Sequence, residues 1–465
     1  MATTLMSASE WAAVEFDGAE LGDRRRRPRL IKVATALAEN PHGTLPGSFQ
    51  RWSEVRAAYR LLEQPDVTYD TVIDPHRQRV RTACGQPGEY LLVEDTTQLD
   101  FTSHLAAMDL GRIGDGGGRG LFVHSTLALR IERWNEQHEP EVTVEGLFDQ
   151  RWWARTTPTG RCRRKKRERL AGPRESQRWA AVAEQIGPPP DGARWTFVAD
   201  RESDIYETFE RCQSNGWQFI IRAEQPRALA DEGGSVFTAV AESPELGRFF
   251  VALRARPGQK ARRAEVAVRA RAVTLRGPWR PGGWLGERTV NVVEAREVNA
   301  PAGVEPIRWV LLTDWAIDSL AAAMRVIKAY TRRWLIEEYH KALKTGTAIE
   351  DSQLETAQRI TVLLAILAVV AVRLLNMKLL ATTRPDEPVS DQMAGPQVLA
   401  ILEKTYGRPA GGWTNAGVLV GIARLGGFLA RRSDGSPGWQ TIWRGLRKLV
   451  WMTHGYDLAS GEKCG

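Results

Sequence analysis

Residues 89–100 read "EYLLVEDTTQLD", a short apolar run that closes on Asp95. "RWTFVADRESDIYE" (194–207) repeats the pattern and closes on Asp200. A brief, almost continuous apolar run bounded by polar residues predicts a strand buried on both faces. In α/β folds the C-terminal ends of such strands project side chains into a crevice at the sheet edge, where site residues collect. Strands also end in turn-forming Asp for local reasons, so either aspartate alone carries little. "LFVHSTLALRIE" (121–132), "VTVEGLFDQRWW" (142–153) and "WQFIIRAE" (217–224) predict further strands.

Working outward, residues 1–69 carry apolar residues at helical spacing in "EWAAVEF", "RLIKVATALAEN" and "SEVRAAYRLLEQ", and predict a small basic helical domain. Residues 70–224 hold the first part of an α/β core. Residues 225–308 alternate polar and apolar between Gly/Pro-rich turns, as in "AEVAVRARAVTL", and read as a β-rich insertion. Helices resume over 309–385, the second part of the core, and a Pro-containing break near 381–390 leads to a helical domain at 386–465. "GDGGGRG" (114–120) precedes a strand rather than opening a helix, so it reads as a hairpin loop and not a phosphate cradle.

The chain of 465 residues is long enough for two to four domains. Its net charge of +8 suits a polyanion, and the clusters say more than the total. "LGDRRRRPRL" (21–30, with Arg24, Arg25, Arg26 and Arg27), "RCRRKKRERL" (161–170) and "GQKARRAEVAVRARA" (258–272) concentrate cations as phosphate backbones reward. The four cysteines lack metal-ligand or disulfide spacing, which fits a reducing cytoplasm. The N-terminus lacks a signal-peptide pattern, and the apolar run Ile360 to Val372 reads as a core helix rather than a membrane span.

The stretch "YTRRWLIEEYHKALKTG" (330–346) carries the chemistry. On one continuous helix, at about 100° per residue, Tyr330, Arg333, Glu337, Lys341 and Lys344 fall within about 80° of each other. A solvated face laced with ion pairs would look similar. Here, however, Met324, Ile327, Trp334, Ile336 and Leu343 predict a largely buried helix, on which a carboxylate needs a partner. With Asp95 and Asp200, Glu337 makes three carboxylates available to hard cations. His124 and His340 sit at no triad or ligand spacing and read as satisfied core or surface histidines. Glu202 and Asp204 read as supporting acids rather than ligands.

The spacing Tyr330, Arg333, Glu337, Lys344 resembles the Y-R-E-K signature of bacterial insertion-sequence transposases of the Asp/Asp/Glu class. "EDTTQLD", "DRESDIY" and "RRWLIEEYHKALKTG" resemble that family's three acidic segments, and "IARLGGF" its C-terminal region. The likeness is greatest to the cut-and-paste, hairpin-forming kind borne by a kanamycin-resistance composite transposon. It implies an RNase H-like mixed-sheet core with a β-rich insertion, flanked by helical N- and C-terminal domains. It further implies two divalent ions, Mg²⁺ with Mn²⁺ as substitute, on Asp95, Asp200 and Glu337. Contacts to transposon-end DNA are implied for Tyr330, Arg333, Lys344 and Arg222, with Lys341 a neighbour and Trp309 stacking on a flipped base. Trp309 could equally pack in the insertion's core. The partners implied are inverted-repeat ends, target DNA and a second copy of the chain, with no membrane. A structure-selective nuclease on the same core, or a DNA-binding protein that no longer catalyses, are the alternatives.

Overall fold

The computed structural model describes residues 7–114, 116–155, 175–231, 233–253, 260–389, 394–431 and 434–460. The basic run 161–170 and the start of the run at 258 lie outside these residues, as do Cys162 and Cys464. Four helices come first: α1 (Ala8–Phe16), α2 (Arg26–Glu39), α3 (Trp52–Leu62) and α4 (Tyr69–Cys84). Ser7 and Glu10 cap α1 reciprocally, and Thr68 does the same for α4 with Thr71. These helices do not form a detached module, because Leu30, Val33, Leu61 and Val72 share one hydrophobic core with the rest of the chain.

A mixed sheet of ten strands organises everything else. Its strands are β1 (Gly88–Asp100), β2 (Gly111–Ile113), β3 (Gly118–Trp134), β4 (Pro140–Trp153), β5 (Ala193–Ala199), β6 (Gln218–Arg222), β7 (Glu245–Leu253), β8 (Arg262–Leu275), β11 (Arg288–Val298) and β12 (Arg308–Thr313). A separate hairpin pairs β9 (Trp279–Arg280) with β10 (Gly283–Trp284). The order is β2-β3-β1-β5-β6-β12-β11-β8-β7, with β4 beside β3. β1, β5 and β6 are mutually parallel. The segment 225–308 therefore continues the central sheet through β12 rather than making a second one.

The central strands β1, β5, β6 and β12 are buried on both faces over most of their length, and their side chains alternate between two cores. Leu91, Val93, Val198, Ile220 and Leu311 face one core, while Tyr90, Leu92, Phe197, Ile221 and Leu312 face the other. The second core is closed by α5 (Ala181–Ile186), α6 (Tyr206–Ser214) and α7 (Val236–Ala241). Over the first lie α8 (Leu320–Thr331), α9 (Trp334–Lys341) and α10 (Ala357–Thr383). The last is long and apolar enough to cross a membrane, but its apolar window is 83% buried inside the protein. α11 (Pro396–Tyr406), α12 (Asn415–Leu425) and α13 (Trp439–Ser460) follow. α12 and α13 cross so closely that a Cβ on Gly445 would stand 1.8 Å from the Ile422 carbonyl oxygen.

The single helix expected over 330–346 is not formed. Between α8 and α9 the bonding shifts to i→i+3, with the Arg333 amide on the Tyr330 carbonyl and the Ile336 amide on that of Arg333. Arg332 holds the break by donating to the Pro140 carbonyl at 3.0 Å. After α9 the chain makes a π-turn over Ala342–Gly346. The continuous five-residue stripe is thereby broken, and Trp334, expected inside, is 52% exposed.

A buried polar network fixes α9 to the sheet. Gln150 on β4 donates to Tyr339 Oη at 2.7 Å and to Ser125 Oγ at 2.8 Å, and accepts from Tyr69 Oη at 2.9 Å. Each buried polar group orphaned by its loss costs about 1–3 kcal/mol. Gln150→Leu, which leaves Tyr339 Oη without this partner and takes one bond each from Ser125 Oγ and Tyr69 Oη, is expected to lower the unfolding free energy by about 2 kcal/mol or more in urea titration. A loss under about 1 kcal/mol would show the network to be dispensable.

Candidate active site

Strand register brings the two aspartates together. Val93 on β1 stands opposite Val198 on β5, and two residues further along each parallel strand come Asp95 and Asp200. Alternation gives both the parity of Val93 and Val198, so both face the first core and the α8–α9 layer. The same parity puts Arg222, two past Ile220, and Trp309, two before Leu311, on that face.

The helices complete the cluster. Glu337 lies in the first turn of α9, and Arg333, one turn earlier, donates a short hydrogen bond to its Oε1. The other arm of the same guanidinium is 4.0 Å from Asp95 Oδ2, so Arg333 bridges two of the three acids. Tyr330, buried at the end of α8, packs edge-on against Trp309 with ring centroids 5.4 Å apart. Arg222 donates to the Arg308 carbonyl at 3.3 Å. Burial raises the Tyr330 phenol above its usual range, opposed by Arg333 and Arg222, while the Asp200 charge adds to the rise.

Lys344 and Lys341 stand apart from this group. The π-turn puts the Lys344 amine 3.2 Å from Glu350, whose Oε1 also accepts from the Asp100 amide. Lys341 is 3.1 Å from Glu338 and lies over the Trp334 ring at 4.5 Å. The stripe drawn on one ideal helix therefore gathers Tyr330, Arg333 and Glu337 but not the two lysines. In the N-terminal helices, Arg26 donates to the Leu21 carbonyl, Gln64 and Asp66, and Arg27 to the Ala19 carbonyl. Those two guanidiniums serve the fold, whereas Arg24 and Arg25 are exposed.

Electrostatically the cluster is short of positive charge. Burial first, then the Asp200 charge and more weakly that of Glu337, push the Asp95 carboxyl up to about 7, against the Thr96 amide and Arg333. His340 gives no relief, although its Nδ1 is 3.9 Å from Asp95 Oδ2. Burial and the neighbouring charges of His124 and Lys344 push it down to about 3, so it is neutral. Its Nε2 meets Ser125 Oγ at 3.3 Å, a buried and satisfied histidine as its sequence context suggests. His124 is likewise satisfied, between Thr96 and the fully buried Glu94. Asp204 serves the fold, accepting from the Glu224 and Gln225 amides and from Arg227.

Among the described residues no group of three or more His, Cys, Asp or Glu side chains is drawn together closely enough to hold a metal ion. The chemistry of the donor set nonetheless suits hard divalent cations: three carboxylates toward one sheet end, one of them held partly protonated by burial and then by its neighbours. The Glu337 carboxylate is engaged by Arg333.

Two family models match the chain: "Transposase DNA-binding" over residues 8–67 and "Transposase DDE domain" over residues 171–373. The chain is a DDE transposase. A DDE transposase is a metal-dependent enzyme that cleaves DNA and transfers strands, and its core is RNase H-like. The DNA-binding match covers α1 to α3, and the DDE match spans Asp200 and Glu337. Asp95 precedes the DDE match and is linked to it by strand register.

A folded-state carboxyl pKa raised from 3.8 to about 7 contributes stability that is full below 3.8 and lost as pH rises through about 7. In chelator the melting temperature is therefore expected to fall across this range. Added Mg²⁺ should restore it, by more at about pH 8 than at about pH 5. Calorimetry checks this, with Asp95→Asn removing most of the Mg²⁺ increment; an increment equal in the variant would place cation binding elsewhere.

Proposed function

We propose that this DDE transposase binds inverted-repeat transposon ends, pairs them as a homodimer and moves the element by cut-and-paste. Nicking, hairpin formation, hairpin resolution and strand transfer would follow in that order. What supports this most is the convergence of Asp95, Asp200 and Glu337 at one end of the sheet, with Arg333 between two of them. The three acids would hold two divalent ions, Mg²⁺ or its substitute Mn²⁺. When bound, such ions sharpen an oxygen nucleophile and stabilise the leaving oxygen of a phosphodiester.

The chain's own groups bind and orient the DNA. Arg333, released from Glu337 as cations enter, is freed to grip a phosphate bidentately beside Tyr330 and Arg222. Lys344 reaches a neighbouring phosphate on exchange from Glu350. Lys341, on the outer side of α9, contacts DNA further out. Arg24 and Arg25 on the α2 approach, with Arg56 and Arg60 on the exposed side of α3, track the end duplex. Residues 386–465 supply the dimer contact, consistent with the solvent-facing Trp451 on α13. The protein works where bacterial DNA is, in the cytoplasm and on the nucleoid.

One active site must cut both strands of a duplex in turn. A freed 3′-hydroxyl that attacks the opposite strand makes a hairpin, whose tight turn forces a base out of the stack at a cost of a few kcal/mol. Trp309, half-buried and edge-on to Tyr330, has the position to receive that base.

Glu337→Gln is expected to abolish nicking and hairpin formation together. Trp309→Ala is expected to leave nicking intact and to slow hairpin formation about 5- to 100-fold, the worth of one base–aromatic stack. Gel analysis of pre-nicked end DNA reads both, and equal hairpin yield from Trp309→Ala and parent would return Trp309 to a packing role. Because α1–α4 share the main core, end binding is tested in the full chain. Arg24→Ala with Arg56→Ala should lower the salt slope of binding by about two, and an unchanged slope would move the phosphate contacts elsewhere.

A further inference from the structure

The β9–β10 hairpin exposes two tryptophans that the proposed chemistry does not use. Trp279 and Trp284 are directly paired across its strands, so they share one face, and they are 40% and 70% exposed. Contiguous exposed aromatic surface rimmed by polar residues marks an interaction site. The hairpin is rigidly seated. Arg280 grips Glu207 with both arms at 2.6 and 3.0 Å, and Tyr206 Oη donates to the Gly286 carbonyl at 2.6 Å. The Leu285 amide closes its base on the Pro278 carbonyl at 3.1 Å.

Both anchors, Tyr206 and Glu207, open α6, the helix that follows Asp200 and its short turn. Between the hairpin and that turn lies a cleft of ≈ 560 Å³, whose lining includes Asp204, Tyr206, Gln225, Arg227, Arg276 and Trp284. Asp204 on its wall is only four residues past Asp200, so their Cα atoms lie within about 14 Å of each other. Gln225 likewise follows Arg222 where β6 leaves the sheet. The cleft thus lies within chain reach of Asp200 but beside α6, on the second-core side of the sheet, whereas Asp95 and Asp200 face the first core.

Its charge is settled in one direction. Asp204 is neutralised by Arg227 and two amides. Arg276 is exposed and makes no ion pair among the described residues. A cation without a partner beside a bare indole face is what an unpaired nucleotide requires, a phosphate contact and a stacking surface. Bases inside a duplex offer no free face, and a cleft of this volume admits a nucleotide rather than a double helix.

We propose that the Trp284–Arg276 cleft binds unpaired DNA, holding a base of the strand that passes the Asp200 end of the sheet. The choice of DNA rests on the reading of that end as the site of DNA cleavage, and Trp309 is a separate surface nearer Tyr330.

The test is fluorescence anisotropy on the full chain in chelator, where no cutting occurs. Two labelled DNAs are compared: a blunt duplex and the same duplex with a short unpaired tail. The parent is expected to prefer the tailed DNA by about 5- to 100-fold. Trp284→Ala should erase that preference without changing blunt-duplex affinity, and Trp284→Phe should keep most of it. Arg276→Gln should lower the salt slope on tailed DNA alone by about one. A parent with no preference, or a Trp284→Ala variant that keeps the preference or weakens both DNAs equally, would overturn the proposal. Loss of the preference on adding a deoxynucleoside monophosphate equimolar with the tailed DNA would overturn it too, in favour of a free-nucleotide site. Cleavage of the same DNAs by the parent with Mg²⁺ is scored separately, so a failure of the cutting reading leaves the tail preference legible.

Discussion

Two carboxylates at the adjacent ends of parallel strands, with a third brought over them by a helix, repel one another in a partly buried place. That repulsion is the constraint on which the arrangement turns. Burial first, and then that repulsion, push Asp95 up to about 7, and Arg333 stands as the cation between two of the acids. A guanidinium can stabilise such a cluster and still leave it, since its bonds exchange for a phosphate's without any change of charge state. His340, equally close to Asp95, cannot take that part, because burial keeps it neutral. The cluster thus carries a removable counter-ion, as a cation-dependent site needs.

The aspartates were legible in the sequence because their signal is local. A buried strand is a short apolar run, and a site residue at its end is an acid that breaks the run. That the two strands are parallel neighbours in matching register was not legible in that way, since register is set by contacts between segments far apart in the chain. The resemblance to a transposase family supplied what local pattern could not. The same limit hid the sheet's continuity: residues 225–308 alternate like any two-sided strands, and nothing local says that β12 will pair with β6 and so join them to the core.

The stretch 330–346 was misread for a related reason. Helical projection assumes one phase throughout, but Arg332, drawn to the Pro140 carbonyl, tightens the junction at Arg333, and the π-turn after Lys341 adds another offset. Both devices answer tertiary contacts. Gln150 and Tyr339 also escaped notice, because a buried glutamine or tyrosine in an apolar run has no pattern of its own until its partners are known.

Glu337 and Glu338 show how phase divides labour between adjacent identical residues. About 100° of helix separates them. Glu338 accepts from Lys341 at 3.1 Å, from Trp439 Nε1 at 2.7 Å and from Lys378, which ties α9 to α10 and α13. These bonds hold its pKa below the usual range against the cost of burial. They also fix the rotation of α9 about its axis, and with that rotation fixed Glu337 can only face Arg333 and Asp95. A carboxylate committed wholly to structure therefore aims its neighbour, whose own carboxylate pairs with Arg333. Because Glu338 takes bonds from both α10 and α13, the aim of Glu337 depends on the C-terminal helices as well as on the sheet.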